Sequence, residues 1–147
     1  PLRLIGPVGD QQWFDQRVRP LLGRDVTYEG HLNHADMADL LGRAGVTLVN
    51  PRWDEPFGLI GVESALTGTP VLALARGGVA EVVDQHMGVM VSPRPTEEDT
   101  VTALSGSLDE AAALCRDGVR ASATARFGVD RMAADYEGIY RDAVARW

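Results

Sequence analysis

Five short apolar runs, separated by segments of helical periodicity, constrain this chain's fold more than any other feature of its sequence. The runs occupy residues 2–5, 26–28, 46–49, 71–74 and 89–91. Between the first two, Phe14, Val18, Leu21 and Leu22 fall at helical spacing, with Asp10 placed to cap the helix and Pro20 placed to end or kink it near Arg19. Asn33 precedes a second helical stripe of Met37, Leu40, Leu41 and Ala44. Residues 58–67 read as a third helix with Gly68 as its C-terminal cap, and 79–83 as a short fourth. After Pro95, Thr96 caps a helix with a face of Val101, Leu104, Leu108, Ala111 and Cys115, and a terminal helix carries Met132, Tyr136, Ile139, Tyr140 and Ala143 in register. Strands alternating with helices mean βαβ units, so the pattern predicts an α/β, Rossmann-like parallel sheet of about five strands flanked by helices. The run at 71–74 is wholly apolar, as suits a strand buried on both faces.

In an open parallel sheet the ligand sits at the carboxyl ends of the strands. The loops to weigh are therefore 6–10, 29–34, 50–58, 75–78 and 92–96. Composition narrows what they can bind. The 147 residues suit one domain, 45% hydrophobic content supplies a core, and no apolar run is long enough to span a membrane. All 14 basic residues are Arg, which removes the phosphate-binding loop that needs Lys and any Schiff-base lysine. A net charge of −7 with scattered Arg opposes nucleic acid and anionic lipid as partners. The single Cys115 excludes an internal disulfide and a multi-cysteine metal site, and its place on an apolar face predicts a buried thiol. His31 and His34 have metal-like spacing without a third ligand nearby, and His31 reads by default as a solvated loop residue. The turn at residues 6–9 lacks the G-x-G-x-x-G dinucleotide pattern.

The loop after the third run carries the chemistry: Trp53-Asp54-Glu55-Pro56-Phe57-Gly58-Leu59-Ile60-Gly61-Val62-Glu63. With a helix starting near Gly58, Glu55 lies at its mouth and Glu63 about one and a half turns inside. Glycine at the start leaves backbone N–H groups open, a ready anion site. Two carboxylates and free N–H donors suit a phosphorylated, polyhydroxylated ligand. Trp53 reads as core or lid packing, Gly77-Gly78 as a tight turn, and Glu81 as a brace for the short helix that follows.

Glu-Pro-Phe-Gly-Leu…Glu, followed by Ala65-Leu66…Gly68-Thr69-Pro70-Val71 and Gly77-Gly78-Val79-Ala80-Glu81-Val82-Val83, resembles family 4 of the retaining glycosyltransferases, which have the two-domain GT-B architecture. The turn after the first run, Tyr28-Glu29-Gly30 and the terminal Tyr140-Arg141 extend the likeness to that family's carboxyl-terminal, donor-binding domain. The resemblance implies that Glu55 is the catalytic residue and contacts the transferred sugar. It implies that Phe57, Gly58 and Leu59 hold sugar hydroxyls and diphosphate through their backbone, and that Glu63 binds the ribose hydroxyls. It maps Gly30, His31 and Leu32 loosely to the base. The mechanism it implies is front-face displacement: the leaving diphosphate deprotonates the acceptor while Glu55 stabilises an oxocarbenium-like centre. Glu55 as a covalent nucleophile is the lesser alternative. No cofactor and no metal is implied.

One departure bears on activity. The family also sets an Arg and a Lys on the diphosphate, from a strand preceding the first one here, and this chain has no Lys. We therefore expect residues 1–147 to be a fragment lacking an amino-terminal acceptor domain and its own first strand, inactive alone. The expected partners are a nucleotide diphosphosugar and an acceptor held by the missing half, with no nucleic acid. The expected location is the cytoplasm, with any membrane association written in that missing half. Rival readings are a sugar-nucleotide epimerase of GT-B type and a stand-alone sugar-nucleotide-binding module.

Overall fold

A computed structural model describes residues 1–147, which divide into two compact units, Pro1–Asp39 and Leu40–Trp147. In the first, β1 (Leu2–Leu4) pairs in parallel with β2 (Val26–Tyr28), Leu2 opposite Val26 and Leu4 opposite Tyr28. The Asp10 carboxylate accepts from the Trp13 backbone N–H at 2.9 Å and starts α1 (Gln11–Trp13). That helix loosens into a π turn over Phe14–Val18 and tightens into a 3-10 turn over Arg19–Leu21. Pro20 ends it where its missing N–H and fixed φ require. Phe14 is the buried anchor: its ring lies 4.8 Å from that of Tyr28, whose hydroxyl donates to the Gly6 carbonyl at 2.6 Å. Asn33 Oδ1 accepts from the Asp36 N–H at 3.0 Å and opens α2 (His34–Arg43), which carries the chain across the division.

In the second unit, β3 (Thr47–Val49), β4 (Val71–Leu74) and β5 (Gly88–Val91) form a parallel sheet in the order β3-β4-β5. All four residues of β4 are buried, as a wholly apolar central strand should be. One face packs Val71 and Ala73 with Val62 and Ala65 of α3 (Leu59–Leu66), Val79 and Val82 of α4 (Val79–Val82), and Val119 and Ala123 of the later helix Arg116–Phe127. The other face packs Leu72 and Val91 with Leu104 of α5 (Glu97–Gly106) and Ala111 of α6 (Leu108–Ala112). Each fully buried Val or Leu contributes about 1.5–3 kcal/mol. Gly88 is required by contact: a Cβ there would stand 2.0 Å from the Val71 carbonyl oxygen.

Helix Arg116–Phe127 becomes α7, and α8 (Val129–Ala145) follows. The Arg116 guanidinium fastens α7 to two earlier segments. It donates to the Gly42 and Ala44 carbonyls at 2.7 Å each and to the Thr69 hydroxyl at 2.8 Å.

Three expectations are corrected, and one expected helix shows an uncovered face. The α/β pattern with parallel pairing holds within each unit, but the strands form two sheets, of two and three strands, because apolar runs mark strands and leave their pairing open. The helix after Thr96 does not run through to Cys115: it stops at Gly106, and α6 restarts after Ser107 with Asp109 and Glu110 in its first turn. Cys115 is exposed, at the N-cap of α7, a helix that the apolar pattern does not announce. The apolar stripe of α8 is exposed and the helix buries no residue. No helix is long and apolar enough to cross a membrane.

Candidate functional site

The loop after β3 folds down onto the loop after β4, and glycine makes this possible. Gly78 donates its backbone N–H to the Glu55 carbonyl at 2.6 Å. A Cβ on Gly77 would stand 2.3 Å from the Glu55 oxygen, and one on Gly78 would stand 2.2 Å from the Pro56 oxygen. Gly77 also holds φ at +56°, which glycine adopts without strain. The reading of Gly77-Gly78 as a tight turn holds, and the turn is also the seat of the Glu55 loop.

Gly58 then turns the chain into α3 at φ +87°. No side chain caps this helix and its first turn carries no acidic residue, so the positive end of its dipole is open. Glu55 lies half-buried beside that end. Its Oε2 accepts from the Trp53 indole Nε1–H at 2.9 Å. Trp53 is 63% exposed, which excludes the core half of the expected core or lid packing, and its indole holds the carboxylate from outside the core. Phe57 is half-exposed and meets Phe127 edge-on, with ring centroids 6.2 Å apart and planes at 84°. Leu59 is exposed on the first turn, and Glu63 lies half-buried one turn further, with no ion-pair partner.

The structure thus brings Glu55, Phe57, Gly58, Leu59 and Glu63 around one helix start. Gly30, His31 and Leu32 belong to the first unit, in the turn at the carboxyl end of β2. There Gly30 holds φ at +71° and its carbonyl accepts from Gly6 N–H at 2.9 Å; His31 is exposed and Leu32 half-buried. The expected brace at Glu81 is made by its carbonyl instead of its exposed carboxylate. Arg126 Nη2 donates to that carbonyl at 2.9 Å, and its Nη1 reaches the Val82 carbonyl and Asp84 Oδ2 at 2.9 and 2.7 Å. The Arg126 guanidinium carbon also lies 4.9 Å from the centroid of the Phe127 ring that abuts Phe57. No cluster of three or more His, Cys, Asp or Glu able to hold a metal ion forms in the chain.

Comparison with known proteins decides the family. The model of glycosyl transferases group 1 matches residues 2–116. The chain belongs to that family. The glycosyltransferase domain is 32% identical to a glycogen synthase of Mycobacterium tuberculosis over 138 residues, covering 92% of this chain and 31% of the relative. It is 36% identical to a D-inositol 3-phosphate glycosyltransferase of Streptomyces bingchenggensis over 146 residues, covering 95% and 32%. Among solved structures it superposes on AviGT4, a glycosyltransferase involved in avilamycin A biosynthesis, with a TM-score of 0.77 and 27% identity. That match covers 98% of this chain and 44% of the other. The fold is therefore the α/β fold of one GT-B half, and this domain spans about a third of the length of the curated relatives it matches.

Sequence reasoning missed the Trp53–Glu55 bond, the Arg126–Phe127 support behind Phe57, and Arg76. The signals were faint: an indole two residues from a carboxylate, an Arg-Phe pair ending a helix, and a cation just before two glycines.

Proposed function

We propose that this domain binds a nucleotide diphosphosugar and, within the whole protein, serves the transfer of its sugar to an acceptor with retention at the anomeric carbon. Family membership supports the reaction class. The observation that carries the reading for these residues is the uncapped start of α3 with Glu55 held beside it by Trp53.

The chemistry follows from that arrangement. Open N–H groups of the first turn of α3 suit the diphosphate, and they strengthen as charge builds on the leaving group. The Glu55 carboxylate suits a sugar hydroxyl and the positive charge that develops as the glycosidic bond breaks. The leaving diphosphate takes the acceptor's proton on the same face, so Glu55 forms no covalent bond. Glu63 suits the ribose diol, and the backbone at Phe57, Gly58 and Leu59 the sugar and diphosphate. The reading takes no metal and no cofactor, and it places the reaction in the cytoplasm.

The test is an amide NMR titration of the chain with UDP, GDP, ADP and TDP, alongside Glu63→Ala. The expected result is shifts at residues 55–63 with one nucleotide, lost in the variant while its melting temperature holds. Equal loss of melting temperature and binding would make Glu63 structural, and no shift at millimolar ligand would overturn the reading.

A further inference from the structure

Arg94, Arg120 and Arg146 form no ion pair, and Arg76 is set apart from them and from the other arginines of the second unit by a buried Nε with no partner. Arg52 pairs with Glu97, Arg126 with Asp84, Arg131 with Asp135 and Arg141 with Glu137, and Arg116 is satisfied by two carbonyls and a hydroxyl. Arg76 has no carboxylate partner. Its one hydrogen bond is a long one, from Nη1 to the Arg52 carbonyl at 3.3 Å. Its Nε is buried without any partner, and it is the sole buried side-chain nitrogen or oxygen in that condition. A guanidinium carries five N–H donors, and leaving a buried one unmet is costly unless something else meets the group.

Its position makes the isolation meaningful. Arg76 sits at the carboxyl end of β4, immediately before the two glycines on which the Glu55 loop rests. The carbonyl it touches belongs to Arg52, three residues before Glu55. Glu55 is held by Trp53 and not by Arg76. The loop thus keeps a half-buried cation apart from the carboxylate beside it.

We propose that Arg76 is an anion-binding residue of this site, its guanidinium taking phosphate oxygens of a diphosphate ester. This rests on the donor-site reading above and deepens it by naming the cation. Arginine matches phosphate in a bidentate fork, and in a chain without lysine it is the one side chain that brings a permanent positive charge to phosphate.

The test is an amide NMR titration of the 147-residue chain. The ligands are inorganic diphosphate, UDP and uridine, against wild type, Arg76→Gln and Arg76→Lys. The expected result is that Arg76→Gln weakens diphosphate and UDP about tenfold or more, while any uridine shifts are unchanged. Arg76→Lys recovers part of the loss, which separates charge from folding. Wild type and Arg76→Gln binding UDP equally would overturn the role of Arg76 and leave the donor site standing. Diphosphate binding that depends on Arg76, without nucleotide binding, would keep the anion site and remove the donor reading. No binding of diphosphate or UDP by wild type at millimolar ligand would overturn both.

Discussion

At the scale of single residues, the carboxylates of this chain divide by what holds them. Glu55 is aimed by one neutral donor, the Trp53 indole, which fixes direction without cancelling charge. Trp53→Phe keeps the ring and removes the donor. We expect it to weaken a nucleotide diphosphosugar by up to about tenfold while the bare nucleotide diphosphate binds as before, read by titration of both ligands. Equal weakening of both would mean that the indole supports the loop as a whole. Asp15 shows the opposite case. Hydrogen bonds from the Arg19 side chain, and secondarily from Gln11, hold its carboxyl below the ordinary value. A depressed folded-state pKa stabilises above the ordinary carboxylate range and is lost as pH falls through the lowered value. A carboxyl-carbon NMR titration should find the Asp15 midpoint below that of free aspartate and moved upward by Arg19→Ala. An unmoved midpoint would show that the pair does not persist in solution.

At the scale of elements, the junction of the two loops is main chain against main chain. Gly78 holds φ at −64°, an ordinary value for alanine, so Gly78→Ala tests steric approach alone. We expect it to cost about 1–3 kcal/mol and to abolish ligand shifts at residues 55–63, measured by thermal unfolding and titration. Gly9→Ala has open space around it and should stay within about 0.5 kcal/mol of wild type. Much of this level is legible in the sequence. Asp10, Asn33 and Thr96 cap as their positions suggest, and the apolar run at 71–74 is the buried central strand. The placement of Glu55 and Glu63 about the start of α3 is legible because a motif of fixed spacing carries them. The break at Ser107 is not, since the apolar spacing of Leu104, Leu108 and Ala111 runs straight through it while Leu108 itself is half-exposed. Nor is α7, whose buried contacts are the small residues Val119 and Ala123 packed on α3. The isolation of Arg76 is invisible in one dimension, because it consists of every carboxylate lying out of reach.

At the scale of the whole molecule, stability and binding surface are unevenly distributed. The core lies in the sheet β3-β4-β5 and its flanking helices, and α8 adds no buried residue to it. Its apolar stripe, with Met132, Tyr136, Ile139 and Tyr140 all exposed, is the largest stretch of uncovered hydrophobic side chains in the second unit. Deleting residues 129–147 should change the melting temperature by only a few degrees and lower the binding of a hydrophobic dye. A large drop in melting temperature would mean that α8 folds against the body in solution. The junction of the two glycines with the Glu55 loop reaches further. Glu55 is registered by peptide groups, and peptide groups are common to every amino acid. A library that randomises residues 52, 54 and 80 while keeping Gly77 and Gly78 would redraw the rim without moving the carboxylate. In such a scaffold, what the rim touches can drift across generations of variants while the seat of the Glu55 carboxylate is inherited unchanged.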